Sequence, residues 1–545
     1  MIMLVLIFLA CILHGSRVQA ILEQNYFSNE PDGIQKAIYI ALERSFLSRE
    51  TSSNLQSLAR SKQLQSRAQA VVPSPSEMLA LFFLAMDPTV GWQQSGKLPG
   101  TGPKTVNTAI GKRTGSQSMV SISDTFDAGN IEVVENNGSI VRLRIRPDPY
   151  TELEEKHHFQ WFAFRATVDQ AEGPQTVTYE IVNAKDAAYA EAWPDSTVCV
   201  SIDRQKWGRV GSTKYDAERG VLQWEWKHEG PSSAVTFAYF DLYPYERHLD
   251  LVARCATLAD AGDVSGLRVF SLGQTLDGRE LDAIQVGTGP LKAWVIHRQH
   301  PGESQASFYA EGLLTRLLGL ETNGQIDGLA RQLLKTFTFY VVPHMNPDGA
   351  VRGHLRTNAG GQNLNREWAP TGEYEAPTAE RSPEVLAVLS ELDKIGVDFF
   401  LDVHGDEGLP YCFVAGAEGL KVWGPRHQAL QGAFIAAYAR ANPDMQGKYG
   451  YEADPPLGGN YAICSNQIAQ RFNTLSLTLE MPFKDCASNP LAPPAGFDGH
   501  RCSMLGASLL DALAHVAPQL RDVESPSFGP EDVYVKPTSL QLPLS

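Results

Sequence analysis

The chain has 545 residues, more than one ordinary domain holds and enough for two or three. Its 43% hydrophobic and 20% charged residues are an ordinary globular composition, so a sizeable core can be buried. The net charge of -16 argues against a nucleic-acid binder, which needs clustered Lys and Arg to neutralise phosphates. Cys11, Cys199, Cys255, Cys412, Cys464, Cys486 and Cys502 are scattered without a CxxC pair. They signal neither a thiolate metal site nor a disulfide framework.

The first thirteen residues are nearly all apolar, and Val18-Gln19-Ala20 resembles a small-residue cleavage site. No Lys or Arg precedes the apolar run, and it is shorter than the ~20 residues of a membrane span. No stable membrane span is therefore expected. A cytoplasmic location is expected, with secretion as the alternative if the apolar start is a genuine signal. Residues 1–118 read as a poorly ordered extension. Short helical patterns at 34–47 and 77–86 alternate with polar stretches that have no apolar period. The texture changes at Met119, so a native start there is expected, with the upstream part a gene-model artefact or a dispensable tail. A real exported pro-segment is the alternative.

Residues 119–255 read as a small antiparallel β-sandwich domain. In 140–145, Val141, Leu143 and Ile145 share one face and the arginines the other, as in a half-buried strand. Similar runs follow at 158–168, 176–182, 198–202, 221–226 and 234–239. Turn signals such as Asn136-Asn137-Gly138 and Glu229-Gly230-Pro231 separate them, the spacing of a sandwich. Nothing catalytic stands out here, and a packing or substrate-positioning role is expected.

Residues 256–520 change to an α/β pattern, followed by a tail at 521–545. Strands are predicted at 294–297, 337–343, 398–404 and 474–480, and helices at 303–320, 383–395 and 427–441. Such alternation implies a central, mostly parallel or mixed sheet flanked by helices, with the ligand site at the carboxyl ends of the strands.

Four groups of residues carry chemistry. His300-Pro301-Gly302-Glu303 follows a strand, and a tight Pro-Gly loop can turn His300 and Glu303 toward one metal ion. His404 ends an apolar strand, with Asp402 on the same face to orient it. Glu480 ends the run Thr474-Leu475-Ser476-Leu477-Thr478-Leu479-Glu480, in which leucines alternate with hydroxyls. A carboxylate there can take a proton from water and pass it to a leaving amine. Asn346-Pro347-Asp348-Gly349 is a turn, followed by Arg352, Arg356, Asn365 and Arg366. These can clamp a carboxylate or polarise a carbonyl.

In this order the four groups resemble the zinc carboxypeptidase family typified by pancreatic carboxypeptidase A. The phrases Ile122-Ser123-Asp124-Thr125-Phe126-Asp127-Ala128-Gly129-Asn130 and Tyr243-Pro244-Tyr245 resemble its cytosolic carboxypeptidase subgroup. The resemblance covers residues 121–513. It implies hydrolysis of the C-terminal peptide bond of peptides or proteins, and one Zn2+ per chain held by His300, Glu303 and His404. It makes Glu480 the general base and acid and gives Arg356 the scissile carbonyl and its oxyanion. Asn365 and Arg366 would bind the substrate's terminal carboxylate. The family usually has Asp two residues before the Asn-Arg pair, where this chain has Asn363. It also uses a tyrosine near the scissile bond, for which Tyr449, Tyr451 and Tyr461 are the candidates. His297 is expected to be a core or supporting histidine.

The subgroup further implies a preference for acidic C-terminal residues. Residues 458–479 contain one basic side chain, Arg471, the candidate to read an acidic substrate; pairing with a surface carboxylate is its alternative role. A hydrolase of a non-peptide bond is a rival reading, opposed by Asn365-Arg366. A catalytically dead binding protein is another, opposed by the presence of all three ligands and Glu480.

Overall fold

The computed structural model describes residues 119–529, apart from 152–156, 170–173, 230–231, 263, 323, 370–375, 492–494 and 523–525. The expectations for residues 1–118, including the signal-like start, and for most of the tail lie outside the described residues.

Among the described residues the β-domain is built from ten strands. They are β1 (Val120–Ser123), β2 (Glu132–Asn136), β3 (Ile140–Arg144), β4 (Ala163–Asp169), β5 (Gln175–Ile181), β6 (Cys199–Ser201), β7 (Gly208–Arg209), β8 (Lys214–Asp216), β9 (Val221–His228) and β10 (Ser232–Ala238). They form two five-stranded sheets, in the orders β1-β4-β10-β6-β7 and β2-β3-β5-β9-β8. The first is antiparallel throughout; the second contains one parallel pair, β3 with β5. The β2–β3 hairpin turns where the sequence predicts it. Asn137 Oδ1 accepts from Ser139 N at 3.1 Å and Ile140 N at 2.8 Å, and Gly138 takes the left-handed φ of 87° that such a turn requires. In β3, Val141 and Leu143 are fully buried while Arg144 is exposed. Aromatic rings join the sheets: Tyr179 of the second lies 4.9 Å from Phe237 and 5.9 Å from Phe164 of the first. Tilted ring pairs of this kind add to the stabilisation from the area they bury.

The second domain holds β11 (Arg268–Gln274), β12 (Glu280–Val286), β13 (Leu291–His297), β14 (Phe337–Val342), β15 (Phe399–Val403), β16 (Phe413–Ala415) and β17 (Leu475–Glu480). The sheet order is β11-β12-β14-β13-β15-β17-β16. Its centre, from β14 to β17, is parallel and both edges are antiparallel. β14, β15 and β17 are buried along their whole length, as strands covered on both faces must be.

One face packs against the helices Ser304–Leu318, Pro425–Ala441 and Gly499–Val516. The other packs against Pro383–Ile395 and Cys464–Phe472. The helix Tyr245–Ala261 runs across residue 255, so regular structure continues through the position where the sequence places a domain boundary. β13, β15 and β17 run parallel and in register, with Ala293 beside Phe399 and Phe399 beside Leu475. His297, Val403 and Glu480 therefore end their strands along one edge, and the loops beyond them carry the site.

Candidate metal centre and active site

The loop after β13 is tightly folded. Arg298 takes the left-handed region at φ 58° and is buried. Its guanidinium donates to Pro301 O at 2.9 Å and Tyr243 O at 2.9 Å. Gly302 donates its N–H to Leu355 O at 2.9 Å, and a Cβ at Gly302 would stand 2.8 Å from that oxygen. Pro301 and Gly302 thus let this loop lie against the loop at 355, turning His300 and Glu303 inward.

The side chains of His300, Glu303 and His404 converge, each buried. His300 Nδ1 is 2.6 Å from Glu303 Oε1, and His404 Nδ1 is 2.9 Å from Glu303 Oε2. The two Nδ1 atoms lie 3.2 Å apart. Each remaining ring nitrogen has an acceptor: Asn363 Oδ1 at 3.1 Å from His300 Nε2, and Asp402 Oδ2 at 2.8 Å from His404 Nε2. Asn363 Oδ1 also accepts from Asn365 N at 3.2 Å, a donor that fixes it as an acceptor. A proton on each Nε2 leaves each Nδ1 lone pair facing inward, the neutral form that binds metal. Burial drives the His300 imidazole down to about 3, so it is neutral. Burial opposes charge on His404 too, but Asp402 and Glu303 outweigh it and raise its pKa well above the usual value, so a cation binding at its Nδ1 displaces a proton from there. Glu303 is held below the usual carboxylate range because His300 and His404 outweigh its burial. Two inward lone pairs and one carboxylate are a donor set a divalent cation satisfies, and nitrogen and oxygen suit zinc.

Asp402 is itself held. Gln299 Nε2 donates to its Oδ2 at 2.6 Å, and Trp368 Nε1 donates to Gln299 Oε1 at 2.8 Å. The tryptophan, amide, carboxylate and imidazole form one buried chain.

Glu480 stands at the end of β17, with Thr478 on the same face; both line the cavity, while Leu475, Leu477 and Leu479 enter the core. Glu480 Oε1 lies 3.1 Å from the hydroxyl of Tyr451, and its Oε2 is buried without a hydrogen-bond partner among the described residues. Burial raises its pKa well above the usual value, and Glu303 and Asp406 add to the rise. The tyrosine beside Glu480 is thus Tyr451, whose hydroxyl also lies 2.6 Å from Asp406 Oδ2, so its single proton stands between two carboxyl groups. Tyr449 stacks on Tyr411, and Tyr461 packs against the small cluster of Ala417, Leu420 and Ala469.

A cavity of ≈ 1010 Å³ opens over these groups and is also lined by Arg356, Asn365 and Arg366. Asn365 Oδ1 accepts from Cys464 N at 2.8 Å, which fixes the amide. Its Nδ2 lies 3.4 Å from His404 Nε2, and that nitrogen gives its proton to Asp402. Asn365 Nδ2 can therefore donate to a ligand. Arg366 Nη1 donates to Asn365 O at 2.8 Å, which ties the pair together.

Arg471 is corrected by the structure. It lies on the outward side of the helix Cys464–Phe472, away from the residues lining the cavity, and forms two bonds to Asp393, at 2.7 and 2.6 Å. It pairs on the surface, the alternative weighed above. Tyr189, Asp406, Glu407, Glu418 and Lys448 also line the cavity. None of them belongs to a sequence motif. The dipeptide Asp406-Glu407 next to His404 is the one local signal that could have been followed.

A family model described as Zinc carboxypeptidase matches residues 261–481, and one described as Cytosolic carboxypeptidase N-terminal domain matches 122–240. The solved metallo-carboxypeptidase from Pseudomonas aeruginosa is 38% identical, with a TM-score of 0.66 over 74% of this chain and 100% of that one. An uncharacterized protein from Zymomonas mobilis is 42% identical over 73% of this chain and 97% of its own length. Cytosolic carboxypeptidase 6 of mouse is 24% identical over 53% of this chain; the match spans 54% of the mouse protein. Fold and site together define a metallocarboxypeptidase. The chain belongs to the zinc carboxypeptidase family, and carries the N-terminal domain of its cytosolic branch.

Proposed function

We propose that the chain binds one zinc ion through His300 Nδ1, Glu303 and His404 Nδ1, and removes the C-terminal residue of peptides or proteins. The convergence of those three ligands, each backed by its own hydrogen bonds, carries this reading. When bound, zinc acidifies water and polarises a carbonyl. The chain's own groups divide the remaining work. Asn365 Nδ2 and the Arg366 guanidinium take the substrate's terminal carboxylate, which fixes the last peptide bond over the site. Arg356 receives the charge that develops on the scissile carbonyl oxygen. Glu480 takes a proton from the attacking water and returns it to the leaving amine. Tyr451 orients the Glu480 carboxylate through its hydroxyl.

The acidic preference implied by the subgroup loses its candidate cation with Arg471. Once the residues assigned above are set aside, the cavity lining retains the ammonium of Lys448 against the carboxyl groups of Asp406, Glu407, Glu418, Glu452 and Asp454. That balance does not attract an acidic side chain. The Pseudomonas aeruginosa enzyme is in complex with (2-guanidinoethylmercapto)succinic acid, whose cationic arm suits a cavity of this kind. A cytoplasmic location follows the naming of the mouse relative.

Glu480→Gln tests the assignment of chemistry. It keeps shape and ligands, so zinc content should stay at one per chain while kcat falls by roughly 10² or more. Near-normal turnover would mean that another group activates the water.

A further inference from the structure

The β-domain reaches the active site at two places. The first is the loop that carries Arg356. Ala128 donates its N–H to Val351 O at 3.2 Å, and Asn130 Nδ2 donates to Gly353 O at 3.0 Å. Gly353 takes φ 73°, and a Cβ there would stand 2.5 Å from Gly129 O, so the two backbones are in contact. The buried carboxylate of Asp148 then collects four donors from three successive residues. They are Leu355 N at 2.7 Å, Arg356 N at 2.8 Å, Thr357 N at 2.9 Å and Thr357 Oγ1 at 3.0 Å. The second place is Tyr189, which lines the cavity and whose hydroxyl accepts from Arg356 Nη1 at 3.0 Å. Tyr189 is itself fixed by the fully buried Gln160, whose Oε1 accepts from Tyr189 N at 2.8 Å and whose Nε2 donates to Tyr189 O at 3.1 Å.

We propose that Asp148 and Tyr189 are positioning residues of the hydrolysis. Asp148 holds Arg356 by its backbone, and Tyr189 holds it by its guanidinium, where charge develops on the scissile carbonyl oxygen. This rests on the oxyanion role given to Arg356 above. An arginine has a long, flexible side chain, and a donor stabilises a transition state most when it is aimed beforehand. Interdomain packing alone would not need four donors on one carboxylate beside Arg356, nor a hydroxyl on its guanidinium. The β-domain therefore supplies part of the active site, and the phrase from Ile122 to Asn130 supplies part of the grip.

The test uses the full chain loaded with zinc and a blocked dipeptide as substrate. Tyr189→Phe removes one hydroxyl; Asp148→Asn replaces one of two acceptor oxygens with a donor that faces donors. Each is made alone and combined with Arg356→Ala, and kcat, KM, zinc content and Tm are measured. Each single variant should lower kcat about tenfold or more, with KM and zinc content unchanged. In the Arg356→Ala background neither should lower kcat by more than about twofold, because the residue they position is gone. Equal proportional losses in both backgrounds would overturn the proposal, as would losses that follow Tm or zinc content. If Asp148→Asn fails to fold, Tyr189→Phe decides alone. A slow Arg356→Ala enzyme with normal Tyr189→Phe and Asp148→Asn enzymes overturns only the positioning role. A normal Arg356→Ala enzyme overturns the oxyanion role on which it rests.

Discussion

The resemblance to the family implies Asp where this chain has Asn363, and the geometry says what Asp should do there. Asn363 Oδ1 accepts from His300 Nε2 at 3.1 Å and is 5% exposed. A neutral hydrogen bond there contributes about 0.5–1.5 kcal/mol and one to a carboxylate about 1.5–3 kcal/mol. Asn363→Asp therefore gains about 1 kcal/mol in holding His300, or five- to tenfold in zinc affinity. The cost of burying a new carboxylate is offset in part by Asn365 N, 3.2 Å from the same oxygen and ready to donate to it. Asn363→Ala removes the acceptor and should weaken zinc binding about 10- to 100-fold, the usual effect of losing such support. The assay is competition for zinc against a chromophoric chelator, with the wild type and both variants side by side. The order Asp tighter than Asn tighter than Ala is expected. Equal affinity for all three would refute the claim that Asn363 holds a zinc-binding His300.

Two further predictions concern groups outside the chemistry. Arg471→Ala should change stability by no more than about 1 kcal/mol, since its pair with Asp393 is exposed. It should leave the ratio of activities on C-terminal Glu and Leu unaltered; a selective loss on Glu would return Arg471 to the cavity. Burial first, and Asp348 in addition, raise the carboxyl of Glu384 from 4.5 to about 8. Below pH 4.5 both folded and unfolded chains keep that proton, so the group costs nothing. As pH rises toward 8 the unfolded chain releases it first, and stability falls by up to about 5 kcal/mol. Glu384→Gln should remove this fall in denaturant titrations at pH 5 and pH 8; an unchanged slope would count against it.

Local pattern carried the fold far. Leucines alternate with Ser476, Thr478 and Glu480 in β17 because one face meets core and the other the site. The helix Pro383–Ile395 begins at a proline and ends before Gly396, where a sequence reading places it. The helix Tyr245–Ala261 was not legible. It buries only His248, Leu251 and Cys255, too narrow a stripe among charged residues to show a period. The helix Cys464–Phe472 was missed as well, and with it the direction of Arg471. As the one basic side chain in 458–479, Arg471 was a candidate for the cavity; on the helix it turns to Asp393. His300, Glu303, His404 and Glu480 were legible because motif and strand end coincide. Asp148 and Tyr189 were not, since each meets Arg356 across more than 160 residues of chain and no local period records such a contact. Choosing Tyr451 over its two neighbours likewise needed the position of its hydroxyl beside Glu480.

The central claim is that one zinc ion, held by His300, Glu303 and His404, serves the removal of a C-terminal residue. The direct measurement is release of free amino acid from a blocked dipeptide, with zinc content determined on the same samples. Wild type as purified, stripped by chelator and reloaded with zinc should be active, inactive and active, with zinc near one, zero and one per chain. His300→Ala and His404→Ala should hold no stoichiometric zinc and release no amino acid. Release that survives complete removal of zinc, or stoichiometric zinc in both variants, would contradict the account.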